Sequence, residues 1–141
     1  MRLTLRSEYA LLALVYLGRQ TTPGLISAGA IARAQQIPPR FLEQILLALK
    51  RARLVRSVKG RGGGFQLARE PGAITLAEVV RLLDGPLAFD NAVSLVAAKS
   101  VSRYFRGQTP ILREKRLTAL FREIRDLVAD RMEHTTLADM L

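Results

Sequence analysis

Apolar residues recur along the chain at the spacing of short helices, and one stretch between them has the pattern of a hairpin. Helices are predicted over Leu5–Leu17, over Ala28–Gln35 and from Pro39 to about Ala52. In the third, apolar residues recur at three and four positions and so mark one face. The first helix is apolar almost all round, which predicts burial against other helices or a partner chain. In the second helix, Ile31 and Ala34 are expected to share the buried face.

The residues before these segments are typical helix caps. Thr4, Ser27 and Thr75 each precede a helical stretch, and their hydroxyl oxygens can accept a hydrogen bond from the first turn. Pro39 suits a first turn, where its missing N–H would have no partner. Thr75 therefore predicts a further helix from Leu76 to about Leu83, whereas the Thr, Pro and Gly residues of 20–26 predict a loop.

A glycine-rich stretch separates two short strand patterns. Leu54–Lys59 and Phe65–Ala68 are the predicted strands, and Gly60–Gly64 contains four glycines in five residues, which predicts the turn of a hairpin. The alternative is a nucleotide-phosphate loop. A Walker loop has Gly-Lys followed by Ser or Thr and then a helix, whereas a strand pattern follows here, so the hairpin is favoured.

The second half of the chain predicts two more helices. An amphipathic helix is predicted within 87–110, with an apolar face of Val93, Val96, Ala97, Val101 and Tyr104. A long helix is predicted from Pro110, capped by Thr109, to about Met132. Its apolar stripe includes Leu117, Leu120, Ile124 and Leu127. This spacing of three and four is that of a coiled-coil seam, so we expect a second copy to cover it; packing within the same chain is the alternative.

The order of elements defines the predicted fold. Two short helices joined by a tight turn and followed by a hairpin are typical of a winged helix-turn-helix. The fold class is therefore mainly α with a small β-hairpin wing, plus a long C-terminal dimerisation helix. We divide the chain into a DNA-binding domain at 1–86, a variable sensor-type segment at 87–109, and a dimerisation helix with a tail at 110–141.

Charge points to a polyanionic partner. The chain has 22 Lys and Arg against 12 Asp and Glu, a net charge of +10. Residues 1–70 hold 12 of the basic side chains and three of the acidic ones, a balance of +9. The densest run consists of Lys50, Arg51, Arg53, Arg56, Lys59 and Arg61. Such a one-sided surface gains affinity for phosphates through counterion release, which favours nucleic acid over a merely solvated face.

Several classes of function are excluded or disfavoured. The chain has no Cys and a single His, His134, which excludes disulfides, thiolate metal sites and multi-histidine sites. Asp126 and Asp130 lie one turn apart with arginines nearby, which is typical of exposed ion pairs rather than paired catalytic acids, so no enzyme is expected. The apolar run Ala10–Leu17 has eight residues where about 20 are needed to span a bilayer. Without a signal-peptide pattern, a cytoplasmic protein is expected.

Six residues are candidates for DNA contact: Arg40, Phe41, Glu43, Gln44, Lys59 and Arg61. The first four lie near the start of the second helix of the helix-turn-helix, where Arg or Gln can pair with purine edges and Glu can accept from a cytosine amino group. The two wing residues lie on a slim glycine-rich tip that fits a minor groove. Core packing of Phe41 and a purely solvated Glu43 are the alternatives.

Several motifs in one order and spacing resemble a known family. They are Leu3-Thr4, Tyr9-Ala-Leu11, Ile37-Pro38, Phe41-Leu-Glu-Gln-Ile-Leu46, Leu54-Val-Arg-Ser57, Gly60-Arg-Gly-Gly-Gly-Phe65, Asp84-Gly-Pro86 and Thr135-Thr-Leu-Ala-Asp-Met140. Together they resemble the Rrf-type winged-helix regulators of bacteria, over essentially the whole chain. The resemblance implies a homodimer on a palindromic operator, with the helix from Pro39 in a major groove and the wing in a minor groove. It also implies DNA contact by the six candidate residues.

The chain departs from that family at one point. Many members hold an iron–sulfur cluster on three cysteines in the segment that here spans 87–106, where Ala92, Ala98 and Tyr104 stand roughly in their place. Asp90 and His134 cannot replace three thiolates. The chain therefore resembles the cluster-free members, which respond to partner proteins or small molecules, or one whose cysteines were substituted. No cofactor is expected.

We therefore expect a sequence-specific transcription regulator that binds double-stranded DNA as a homodimer, with an unknown small-molecule or protein effector. The alternative is a non-specific DNA-coating or architectural interaction module. The two differ in discrimination, because a specific regulator binds its operator ~10³-fold or more above random DNA at equal salt. A membrane-surface helix bundle is disfavoured, since the basic residues cluster around the hairpin rather than along an amphipathic face.

Overall fold

The computed structural model describes residues 3–85 and 113–141. In these ranges the elements are α1 (Leu5–Gly18), α2 (Ala28–Gln35), α3 (Pro39–Arg51), β1 (Val55–Val58), β2 (Gly64–Leu67), a 3-10 turn (Pro71–Ala73), α4 (Leu76–Asp84), α5 (Lys115–Glu133) and a second 3-10 turn (Ala138–Met140). The strands β1 and β2 form an antiparallel hairpin in which Val55 lies opposite Leu67. The predicted mainly helical fold with a small hairpin wing is confirmed.

The three predicted helix caps are present. The hydroxyl oxygens of Thr4, Ser27 and Thr75 each accept from the backbone N–H three residues later, at 3.4, 3.1 and 3.1 Å. These bonds satisfy one of the free donors in the first turn of α1, α2 and α4. The start of each helix is therefore fixed by its own local sequence.

A tight turn joins α2 to α3. Gln36 ends α2 in the left-handed region at φ 53°, and the next residue, Ile37, is buried. Pro38 and Pro39 then begin α3, as predicted. Ile31 of α2 is buried, but its predicted partner Ala34 is exposed, which corrects that assignment. Ala32 takes the buried place instead, because α2 packs against both α1 and α3 and so buries adjacent positions.

The core lies around α1, which packs against α2, α3, α4 and β2. Its fully buried members include Ala10, Ala13, Leu14, Ile31, Leu42, Ile45, Leu49, Ile74 and Leu137. The two alanines of α1 leave room for neighbouring helices to approach. Burial of α1 is incomplete, however, because Leu5 and Leu12 are exposed on its outer side.

The wing is anchored by an isolated β-bridge that the sequence did not reveal. Within the predicted loop 20–26, the backbone of Ile26 exchanges two hydrogen bonds with Phe65, at 2.9 and 2.7 Å. Gly64 lies so close to this segment that an added Cβ would stand 2.5 Å from the carbonyl carbon of Ile26. The hairpin is therefore held to the helical core through its second strand.

The helix α5 begins later than predicted. Glu114 is in extended conformation and its carboxylate accepts from the backbone N–H of Arg116 at 3.0 Å, so it caps a helix that starts at Lys115 rather than Pro110. A helix cannot continue through residue 114, because the backbone of this cap residue is not helical. Thr109, Pro110 and the helix predicted within 87–110 lie outside the described residues.

The C-terminal tail returns to the helix-turn-helix core. Thr136 forms a β-bridge with Thr75, and the N–H of Leu137 donates to the carbonyl of Ile74 at 2.8 Å. The side chain of Leu137 is fully buried in the core. An ion pair between Arg81 of α4 and Glu133 of α5 adds a second link. The end of α5 is thus attached to the helix-turn-helix core by packing, hydrogen bonds and charge.

Candidate nucleic-acid interface

One face of α3 is exposed at its N-terminal end. Leu42, Ile45, Leu46 and Leu49 point into the core, at the helical spacing predicted from the sequence. Arg40, Glu43 and Gln44 are exposed as a result, because they occupy the opposite side of the helix. The structure therefore brings together the polar members of the predicted site.

Phe41 lies between core and surface. Its side chain is 47% exposed, which disfavours the alternative that Phe41 packs in the core. The ring meets the ring of Tyr9 edge-on, with 6.3 Å between centroids, a favourable aromatic geometry. Helix α1 thus holds one side of Phe41 and leaves the other side available to a partner.

The wing tip presents two basic side chains on a tight turn. Lys59 and Arg61 are both exposed. Gly60 and Gly62 have φ values of 102° and 74°, a region that residues with a Cβ rarely adopt. The N–H of Gly63 donates to the carbonyl of Gly60 at 3.0 Å and closes the turn. Arg61 therefore lies exposed in the tight turn at the tip of the wing.

A groove of about 460 Å³ separates α3 from the wing. Its lining includes Ser27, Glu43, Leu47, Lys50, Ser57, Val58, Lys59 and Phe65. It connects a predicted residue of α3, Glu43, with a predicted residue of the wing, Lys59. The sequence did not single out Leu47 and Val58, which are 48% and 55% exposed. Leu47 could have been identified from the sequence, because it is a large apolar residue that lies off the buried face of α3.

The basic run continues around the end of α3. Lys50, Arg51 and Arg53 are exposed, and Lys50 lines the groove. The positive residues of 50–61 have no acidic residue among them. Arg53 has φ 58°, a left-handed conformation that Gly or Asn usually occupies. A cationic side chain thus occupies a turn position where a small residue is commoner.

The apolar stripe of α5 is open to solvent. Leu117, Leu120, Ile124 and Leu127 are 46–64% exposed. The polar residues of α5 follow the expected pattern: Arg125 pairs with Asp126 at 2.8 Å, and Nδ1 of His134 lies 3.2 Å from a carboxylate oxygen of Asp130. Asp126 thus has the surface ion pair predicted for it, and His134 lies at the C-terminal end of the helix.

These elements define a class of protein. A helix-turn-helix followed by a hairpin wing, with an exposed basic surface across both, is the arrangement of winged-helix DNA-binding proteins. The chain belongs to the Rrf2 family: the family model, described as an iron-dependent transcriptional regulator, matches residues 3–141. It is thus a DNA-binding transcription regulator with a winged-helix fold, in a family of regulators rather than enzymes.

Relatives cover almost the whole chain. It is 38% identical over 140 residues to the HTH-type transcriptional regulator Rv1287 of Mycobacterium tuberculosis, covering 99% of this chain and 81% of the relative. The structure of CymR, the global cysteine regulator of Bacillus subtilis, is similar with a TM-score of 0.75 at 30% identity, covering 99% of this chain and 95% of that one. The T. potens IscR structure has a TM-score of 0.71 at 27% identity, with coverages of 99% and 85%.

The residues of this chain do not fit a thiolate-bound iron cluster. The sequence contains no Cys and one His, and iron–sulfur clusters need cysteine thiolates as their principal ligands. Across 3–85 and 113–141, no three His, Asp or Glu side chains are grouped so as to hold a metal ion. Asp90, Ala92, Ala98 and Tyr104 lie outside these ranges. No helix in the described part of the chain is long and apolar enough to cross a membrane.

Proposed function

We propose that this regulator binds a palindromic operator as a homodimer, with α3 in the major groove and the wing in the adjacent minor groove. The observation that carries the proposal is the groove between α3 and the wing, which Glu43, Lys50 and Lys59 line. Arg40 and Arg61 are exposed on the same two elements. A B-DNA major groove admits one helix, and a slim basic tip fits the narrower groove beside it.

The proposed contacts divide into two kinds. Arg40 and Gln44 supply donors for purine edges, and Glu43 accepts from a cytosine amino group. Phe41 offers the free side of its ring to a thymine methyl group or a sugar. Lys59 and Arg61 contact phosphates or the minor-groove floor, and so contribute affinity that falls with added salt.

The dimer is supported by the open stripe on α5. Four large apolar side chains at coiled-coil spacing favour a second copy as the partner, because an apolar stripe of this size is stabilised by being covered. A two-fold symmetric dimer matches a palindromic site. We accordingly retain the division into a DNA-binding domain at 1–86, a sensor-type segment at 87–109 and a dimerisation region at 110–141.

The effector that controls DNA binding is proposed not to be an iron–sulfur cluster held by this chain. With no thiolate available, a small molecule or a partner protein is the remaining class of effector. The protein acts in the cytoplasm, where its DNA is.

The test is a binding comparison on two duplexes. One carries the region upstream of the gene for this chain, and the other has the same composition in scrambled order. We expect a preference of ~10³ or more for the upstream duplex at physiological salt, with a footprint of two equal half-sites. Equal affinity for both duplexes would instead favour the non-specific coating protein.

A further inference from the structure

The groove between α3 and the wing has an apolar interior within the most basic surface of the chain. Leu47 lines it from α3 and Val58 from β1, and Phe65 of β2 also borders it. Leu47 and Val58 are each about half exposed, so the core does not account for them. Apolar side chains left open in such a setting indicate a surface that a partner covers.

Charge is graded along the same groove. Glu43 and Lys50 both line it and are seven residues apart on α3, roughly 10 Å along the helix axis. Lys59 lies on the wing side. The acidic end is the end that faces bases in the proposed complex, and the basic end is near the C-terminus of α3. A bound anion is therefore repelled from Glu43 and attracted toward the two lysines.

The topology of a duplex decides what crosses this groove. A helix in the major groove and a wing in the adjacent minor groove lie on either side of one sugar–phosphate strand. On the basis of the proposed function, we propose that this strand lies in the groove, with a deoxyribose against Leu47 and Val58 and its flanking phosphates at Lys50 and Lys59. Charge complementarity with the lysines and the apolar walls both match a strand that alternates sugars and phosphates.

The arrangement distinguishes deoxyribose from ribose. A ribose 2′-hydroxyl held against leucine and valine loses water and gains no protein partner, which is costly for a polar group. The 2′-hydroxyl is also the group by which proteins tell RNA from DNA. Leu47 and Val58 are therefore assigned as residues that select the sugar of the bound strand, in addition to the base-contacting residues of α3.

The first test separates apolar from ionic contacts by salt dependence. Affinity for the footprinted upstream duplex is measured over a series of KCl concentrations for wild type, Leu47→Ala, Val58→Ala and Lys50→Gln. Each apolar variant is expected to bind about 3- to 10-fold more weakly with an unchanged slope of log K against log salt. Lys50→Gln is expected to reduce that slope by about one, the value for one lost phosphate contact.

A matched control uses another half-exposed leucine. Leu12→Ala, on the outer side of α1, removes the same atoms at 43% exposure and is expected to keep wild-type affinity. Thermal melting checks that each variant is folded. If Val58→Ala weakens the hairpin, the result for Leu47→Ala decides, because Leu47 lies in α3 and not in the hairpin. Unchanged affinity in Leu47→Ala overturns the assignment, as does a reduced salt slope in that variant. Failure of the proposed function is distinct, because then wild type itself shows no preference for the upstream duplex.

The second test probes the sugar directly. Single ribonucleotides are placed one at a time along each strand of the half-site, and the affinity of wild type is compared with that of Leu47→Ala. Wild type is expected to lose affinity at one backbone position per half-site, and Leu47→Ala to lose less at that position. An equal loss in both proteins at every position would overturn sugar selection by Leu47.

Discussion

The proposed dimer is most directly tested at Leu120, in the centre of the α5 stripe. The side chain is 49% exposed in the single chain. Complete burial of a leucine contributes ~1.5–3 kcal/mol, so covering the exposed half contributes about 1 kcal/mol. A two-fold dimer buries two copies of Leu120, so the contribution is about 2 kcal/mol per dimer. Leu120→Ala should therefore weaken dimerisation roughly 30-fold. Leu120→Asp adds the cost of desolvating a carboxylate, several kcal/mol for each copy, and should yield monomers.

Sedimentation equilibrium over a range of protein concentrations measures both variants, and far-ultraviolet circular dichroism establishes that each remains helical. Leu47→Ala is the matched control, because Leu47 is 48% exposed but lies on α3, in the groove proposed to hold DNA. It should dimerise like the wild type. A Leu120→Asp protein that sediments as a folded dimer with wild-type affinity would refute the interface and favour packing of the stripe within its own chain.

Four further outcomes are expected. Arg61→Ala should weaken operator binding by ~1–3 kcal/mol without changing the melting temperature, and unchanged affinity would remove its role. Glu43→Ala should reduce the differences in affinity among single-base variants of the operator more than it lowers affinity for the operator itself. If the ranking of those variants is unaltered, Glu43 is a solvated acid with no part in base recognition. Gly64→Ala should destabilise the wing by about 1–3 kcal/mol, because the new Cβ meets backbone at 2.5 Å, and should speed hydrogen exchange in β2. Hydrogen bonds from Thr136 lower the pKa of Asp139. The ionised carboxylate therefore stabilises the fold at pH values above the ordinary carboxyl pKa, and this stabilisation is lost as pH falls through the lowered value. Asp139→Asn should remove that part of the pH dependence of the melting temperature.

The helices and their caps were predictable because their causes are local. The spacing of apolar residues determines which side of α3 is buried, and a hydroxyl at residue 4, 27 or 75 can cap only the turn beside it. Glu114 was not identified because a proline at residue 110 is also a good helix start. Pro110 and Glu114 are both local start signals. The observed helix begins after Glu114, whose carboxylate accepts from the backbone N–H of Arg116.

The missed features depend on contacts distant in sequence. Ile26 forms an isolated β-bridge of one residue, which has no periodicity to detect, and it is recognised only by its hydrogen bonds to Phe65. Leu137 is a core residue because the tail returns to Ile74, across more than 60 positions of sequence. The individual polar residues of the candidate interface followed from the exposed side of α3, but the groove between Leu47 and Val58 required the relative placement of helix and hairpin.

The wing tip limits how binding preference can be redesigned. Gly60 and Gly62 are held in conformations that side chains resist, while Gly63 and Gly64 have backbone atoms where a Cβ would stand. Only Arg61, among the five residues of 60–64, can be exchanged without also altering the path of the chain. A combinatorial library aimed at a new operator should therefore place its diversity on the exposed side of α3 and a single randomised codon at the tip, since variation at the four glycines would mostly return proteins with a damaged wing.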